Sequence, residues 1–317
     1  MQYTTLGRTG LEVSVVGLGG GGPSRLGLEQ GRSVDGIAKL IQYGLDQGIN
    51  LIDLGAPYGT DQLVAKAIGK RRQEVILSAK TILGPPVWMF EGTRTASRLS
   101  ARFSEVMSFV ASGSVIEKRL EATLRRLKTD YVDIFSLHGV TPGQCQAVLD
   151  RLLPALSRLK EKGKVRFIGI TEAFGRDPGH KVLADAVSGG GFDTIMIGLN
   201  LANRAGSRVA AEAKQHGTGV MAMCALRPFR SKASTESLMQ GSGASLAELT
   251  ALLAAHGVGS LQEAAMRFCR HDSGADVVLT GTGDIGHLRA SLVAAAAGPL
   301  PRPLAAELSR IFPGPEF

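Results

Sequence analysis

The chain has 317 residues, 44% of them hydrophobic and 20% charged, a balance that supplies apolar surface for a core and excludes a disordered or fibrous protein. Its length fits either two average domains or one large barrel. The net charge of +8, from 36 Lys and Arg against 28 Asp and Glu, is dispersed, as in KRR at 70–72 and RRLK at 125–128; with aromatics at only 5%, it reads as solvated basic faces and argues against a nucleic-acid partner.

Taken in chain order, QYTTLGRTGLEVS at 2–14 opens with two short alternating stretches around Gly-containing turn residues, the pattern of a hairpin. Eight short apolar or β-branched runs follow: 14–19, 50–53, 74–80, 131–138, 164–171, 193–200, 219–226 and 276–281. Helical patterns separate them. Ile116, Leu120, Leu124 and Leu127 share the spacing of one apolar helical face, as do Val148, Leu152, Leu156 and Leu159. Gly48, Gly163 and Gly217 stand where a left-handed residue ends a helix before the next strand.

Eight strands alternating with helices predict an α/β fold of the (β/α)8 TIM-barrel type, sealed at the bottom by the N-terminal hairpin, over one domain at 1–317. A doubly wound sheet is the competing architecture. Two connections exceed what a compact barrel needs. The first, at about 84–113, carries Trp88, Phe90 and an amphipathic stretch with Leu99, Phe103, Val106, Met107 and Val110. The second, at about 227–244, is basic and rich in Gly and Ser, and loops of such length usually cover a site. From about 298 a proline-punctuated tail is expected to lie on the surface.

Apolar runs such as 292–297 fall far short of the roughly 18 residues of a membrane span. The opening ten residues lack the pattern of a secretory signal. Three singly scattered cysteines, Cys145, Cys224 and Cys269, suit reduced thiols in a cytoplasm. No His-x-x-x-His pair, Cys-x-x-Cys or Gly-x-Ser-x-Gly occurs, so neither a metal site nor a serine nucleophile is expected. Nothing in the sequence speaks to oligomeric state.

Two glycine motifs match the dinucleotide fingerprint G-x-G-x-x-G. GLGGGG at 17–22 is followed at once by Pro23 and Ser24, and the strand-end acid Asp53 falls beyond the usual interval of about 20 residues. The second, Gly281, Gly283 and Gly286, leaves too little chain for the rest of a Rossmann sheet. It retains a glycine-lined helix N-terminus after the last strand, where N–H groups can hold a phosphate.

Candidate chemistry lies at strand ends. Asp53, Lys80 and His138 close the second, third and fourth strands on the face of their inward neighbours Leu51, Ile76, Ser78, Ile134 and Ser136. In a barrel that end is the catalytic one. Tyr58 follows in DLGAPYG, where Pro57 and Gly59 favour a short rigid loop over the mouth. An ammonium beside a phenol is expected to pull its pKa down from about 10, Asp53 to keep Lys80 charged, and His138 to hydrogen-bond the phenol or a substrate oxygen. That set suits proton transfer to a carbonyl receiving hydride.

With TLGRTGLEVSVVGLG, NLIDLGAPYG, VILSAK, LRRLKTDYVDIFSLH, LKEKGKVRFIGIT, LQEAAMRF and VVLTGTGDIGHLRASL in this order, the chain resembles the aldo-keto reductase family. The resemblance covers nearly the whole chain and implies an NAD(P)(H)-dependent oxidoreductase interconverting a small-molecule carbonyl and an alcohol. In it Tyr58 is the general acid/base, Lys80 tunes it, Asp53 supports Lys80 and His138 orients the carbonyl. The dinucleotide, NADP(H) ahead of NAD(H), is implied across Gly19, Gly20, Gly21, Asp53, Thr171, Glu172, Met196, Met223, Leu226, Arg227, Gly281, Thr282, Gly283, His287 and Arg289. Thr171 and Glu172 replace the family's Ser and Asn, Met196 its Gln, Met223 its stacking aromatic, and Gly281 and His287 the Lys and Arg that many members set against the 2′-phosphate. Those departures motivate an alternative, a nicotinamide-nucleotide-binding regulatory subunit on the same barrel with little or no turnover.

Overall fold

The computed structural model describes residues 1–84 and 110–314. A hairpin of β1 (Tyr3–Thr5) and β2 (Glu12–Ser14) comes first, pairing Tyr3 with Ser14 and Thr5 with Glu12. The eight runs that follow become β3 (Val16–Gly19), β4 (Leu51–Asp53), β5 (Ile76–Ile82), β6 (Val132–Val140), β7 (Val165–Glu172), β8 (Thr194–Gly198), β9 (Gly219–Met223) and β10 (Val277–Thr280). They form a closed parallel barrel in the order β10-β3-β4-β5-β6-β7-β8-β9. Closure removes both free edges and excludes the doubly wound alternative.

Alternation along each strand builds two cores. Inward-facing Leu51, Ile134, Met196, Met221 and Val277 pack with Leu6, Leu11 and Val13 of the hairpin region inside the barrel. Their neighbours Ile52, Leu77, Phe135, Ile168, Ile195 and Val278 point outward into the layer beneath the helices. Ile116, Leu120, Leu124 and Leu127 line the buried face of the helix Gly113–Leu127, as their spacing predicts. Val148, Leu152, Leu156 and Leu159 are buried too, but across a π-turn (Val148–Leu152) between the helices Pro142–Ala147 and Leu153–Glu161.

Two segments read as loop or tail contain helix. Residues 227–244 include a 3-10 turn, Arg227–Phe229, and the helix Lys232–Leu238. Beyond 298 the chain forms the helix Arg302–Ile311 with Leu304, Leu308 and Ile311 buried, and Phe312 meets Phe229 edge-on at 5.3 Å. Pro303 sits in the first turn, where a missing N–H costs nothing. The amphipathic stretch with Leu99, Phe103, Val106 and Met107, like Trp88 and Phe90, lies outside the described residues. Among the described residues no helix is long and apolar enough to cross a membrane.

The hairpin plugs the barrel at the N-terminal ends of the strands. The backbone N–H of Arg8 donates to the Gly217 carbonyl at 2.6 Å, and its guanidinium donates to the Phe192 carbonyl at 2.9 Å. Gly7, at φ +50°, lies so close to β9 that a Cβ would stand 2.3 Å from the Gly219 nitrogen. Gly7→Ala therefore combines a left-handed backbone with a collision against main chain, and is expected to cost about 2–4 kcal/mol. Urea unfolding measures this; a loss under about 1 kcal/mol would mean that the hairpin docks without close contact.

Candidate active site

The β4–β5 register sets Asp53 beside Ser78, and the β5–β6 register sets Lys80 beside Ser136 and Ile82 beside His138. Asp53, Lys80 and His138 thus face the barrel interior at its C-terminal mouth. The Lys80 ammonium donates to Asp53 Oδ2 at 2.5 Å, and Ser78 Oγ donates to Oδ1 at 3.1 Å. Both charged side chains are buried, with Lys80 2% and Asp53 4% exposed. Tyr58 is carried by a single 3-10 turn, Ala56–Tyr58, ended by Gly59 at φ +67°. Its hydroxyl lies 3.1 Å from His138 Nε2, the two rings meet edge-on at 87°, and the Lys80 ammonium is 5.3 Å from the phenol ring centroid. The four polar residues chosen from sequence therefore converge.

Glycines leave the space in which the Tyr58 ring sits. A Cβ on Gly21 would lie 2.5 Å from the ring, and one on Gly55 2.9 Å from it. Gly20, between them in space, donates its N–H to the Asp53 carbonyl at 2.7 Å and accepts from Thr60 Oγ1.

Burial governs the electrostatics. It opposes the charge on Lys80, but Asp53 and then Tyr58 more than offset it, so the lysine pKa is raised and its ammonium persists. Burial pushes the Asp53 carboxyl up while Lys80 and Ser78 pull it back. For Tyr58 the expected direction is corrected: Lys80 does favour the phenolate, yet burial is the larger effect and the pKa is raised. The resting group is a neutral phenol, the form that can donate a proton. His138 is lowered to about 3 by burial and then by Lys80, so its imidazole is neutral.

The residues assigned to a dinucleotide divide into three groups. Gly19, half-buried, and Gly281, exposed, leave bare backbone at the mouth, whereas Gly20 and Gly21 are buried against Leu54 and the Tyr58 ring; a Cβ on Gly281 would stand 3.6 Å from the Gly21 carbonyl. Leu226 and Met223 are half-buried and Arg227 is exposed on the same rim. Cys224 is also half-buried on this rim at φ +65° beside Arg227; burial raises its thiol pKa despite the guanidinium.

A second group is occupied internally. Thr171 Oγ1 accepts from the Gly139 N–H at 2.8 Å. Glu172, next in the strand, turns outward, accepting from the Gly198 N–H at 2.7 Å and lying 2.9 Å from His180 Nδ1. Met196 is buried beneath Lys80, its sulfur 3.5 Å from the ammonium. The third group surrounds the helix Ile285–Ala296. Its N-terminus is capped by the Asp284 carboxylate, which accepts from the His287 N–H and pairs with Arg32 at 2.9 Å. The open N–H groups expected there are thus partly satisfied. Thr282 Oγ1 accepts from the Asp284 N–H, and the His287 side chain is exposed. Against Gly283 the backbone of Gly27 packs so closely that a Cβ would fall 2.3 Å from its Cα. Arg289, expected at the mouth, reaches instead toward Tyr43 Oη at 3.3 Å, because its place on the helix faces Val34–Asp46.

Sequence reasoning missed Gly55, His180 and Arg25. Glu172 carried a signal, since alternation opposes it to Thr171; its partner His180 carried none. Among the described residues no cluster of His, Cys, Asp and Glu is placed to hold a metal ion.

The profile of the Aldo/keto reductase family matches residues 17–311. The chain belongs to that family. It is 30% identical over 179 residues to aldo-keto reductase YhdN of Bacillus subtilis, covering 54% of this chain and 47% of that protein. Identity is 33% over 172 residues to L-galactose dehydrogenase of Arabidopsis thaliana, covering 54% and 48%. The chain thus spans about half the length of the curated relatives it matches. An aldo/keto reductase of Klebsiella pneumoniae, solved with NADP and acetate, superposes with a TM-score of 0.70 at 22% identity, covering 100% of this chain and 98% of that one. The chain therefore shares its fold with a family member of known structure.

The His138 shift has a consequence for stability. Folded, the imidazole stays neutral down to about pH 3, whereas an unfolded histidine binds its proton near 6.5. Its contribution is present above pH 6.5 and is lost as pH falls toward 3. Between pH 7 and 5 the protein should lose up to about 2 kcal/mol more than His138→Gln does. Urea unfolding at the two pH values checks this, and parallel losses would show that His138 accepts a proton while folded.

Proposed function

We propose that the protein is a nicotinamide-dependent oxidoreductase that interconverts a small-molecule aldehyde or ketone and the corresponding alcohol. One observation carries this reading: a neutral, half-buried phenol, Tyr58, stands 3.1 Å from His138 and beside the ammonium of Lys80 at the barrel mouth. In reduction, Tyr58 Oη gives its proton to the carbonyl oxygen. Lys80, kept charged by Asp53, stabilises the phenolate left behind, so the same group takes the proton back in alcohol oxidation. His138, neutral at physiological pH, hydrogen-bonds without adding a competing charge.

The residues present fit a pyridine dinucleotide, which when bound would supply the hydride. Gly19 and Gly281 let an extended ligand approach bare backbone at the mouth, and Met223, Leu226 and Arg227 border it on the far rim. Met223 offers a polarizable sulfur to a ring face. NADP(H) is our first choice over NAD(H), supported by the structural relative solved with NADP. A cytoplasmic setting accords with the three unpaired thiols. The convergence of the four polar residues favours this reading over the regulatory-subunit alternative.

Tyr58→Phe should cut turnover of para-nitrobenzaldehyde with NADPH by about 10²–10⁴-fold while retaining the fold; turnover at the parent rate would remove the proposed acid. Lys80→Met should also lose most activity. Fluorescence titration should show NADPH binding more tightly than NADH, and the reverse order would correct the cofactor preference. Tight binding of both with no turnover across a carbonyl panel would favour the regulatory alternative.

A further inference from the structure

The turn that carries Tyr58 is short. Its one internal bond runs from the Tyr58 N–H to the Gly55 carbonyl at 2.8 Å, and Gly59 ends it at once. A carbonyl at the end of such a turn has no helical partner. Tyr58's is taken by a side chain from elsewhere: Arg25 Nε donates to it at 2.6 Å. The other arm of the guanidinium donates to Glu29 Oε1 at 2.6 Å, fixing the plane of the fork from the opposite side. Arg25 also lies along Gly59, where a Cβ would come within 2.9 Å of Nη2.

The segment that presents Arg25 is held against conformational preference. Arg25 and Leu26 both have left-handed backbones, at φ +45° and +60°, a conformation that costs about 1–2 kcal/mol per L-residue. It persists because Leu26 is fully buried and Gly27 is seated against Gly283. Strain retained in this way marks a position whose geometry matters. The hydroxyl of Tyr58 is fixed by His138 and the ring is flanked by Gly21 and Gly55. The turn itself is held by its internal bond to Gly55 and, from outside, by Arg25 on the Tyr58 carbonyl.

We propose that Arg25, braced by Glu29, is a positioning residue that sets the Tyr58 hydroxyl through the Tyr58 carbonyl. This rests on the reading of Tyr58 as the proton donor. A proton donor displaced by on the order of 1 Å loses on the order of 10²-fold in rate, whereas dinucleotide contacts at Gly19 and Gly281 are untouched.

The test is steady-state reduction of para-nitrobenzaldehyde with NADPH, beside NADPH binding by fluorescence. Arg25→Met is expected to lower kcat by about 10- to 100-fold with NADPH affinity within about twofold of the parent. Arg25→Lys, which keeps one donor, should recover part of the rate, and Glu29→Gln should lose only a few-fold. In a Tyr58→Phe background Arg25→Met should add no further loss, because a residue acting through Tyr58 has nothing left to position. A parent-like kcat for Arg25→Met would overturn the proposal, as would an equal loss of NADPH affinity or an additive loss in the Tyr58→Phe background. If Arg25→Met does not fold, parent-like kcat in both Arg25→Lys and Glu29→Gln overturns it. Full activity in Tyr58→Phe alone would instead overturn the functional reading, and this inference with it.

Discussion

A buried ion pair, Lys80 to Asp53 at 2.5 Å, is the constraint around which the mouth of the barrel is arranged. Withdrawing two charges from water is costly, and such pairs seldom add net stability over a well-packed apolar substitute. This one is tolerated because its remaining hydrogen-bonding capacity is met: Ser78 serves the carboxylate, and Tyr58 and Met196 lie around the ammonium. The registers of β4 on β5 and of β5 on β6 exist to deliver these groups to one level. A slip by one residue in β5 would turn Lys80 into the helix layer and bring Ala79 or Thr81 to the mouth, leaving Asp53 without its cation.

What the alternating pattern of a strand determines was legible in advance. Eight runs became eight barrel strands, and the inward parity of Leu51 with Asp53 or Ile134 with His138 placed the polar groups on one face. Quantities that depend on surroundings were not legible. The direction of the Tyr58 shift depends on how much water the folded mouth excludes, and no count of neighbours along the chain reveals that. Arg25 stands far from Tyr58 in sequence, and only the fold brings it to the carbonyl. The helix Arg302–Ile311 did have a signal in the spacing of Leu304, Leu308 and Ile311; its prolines lie at the start, where they permit a helix, but were read as breaks.

The mouth is asymmetric in substance. On one side Gly19 and Gly281 present main chain alone. On the other, Thr171 and Glu172 present side chains whose polar atoms are already committed, to Gly139, Gly198 and His180. Phe174, stacked on His180 at 5.6 Å, fills the space over Gly198, where a Cβ would meet its ring at 2.4 Å.

The plug has a temporal meaning. Residues 3–14 are made well before their partners, Phe192 and the Gly217–Gly219 stretch, which lie some two hundred residues downstream, and β3 cannot join β10 until Val277–Thr280 exists. The hairpin thus leaves the ribosome long before it can find its seat. Until then Leu6, Leu11 and Val13 remain without the interior they are shaped to fill, a delay built into any closed barrel whose cork is translated before its bottle.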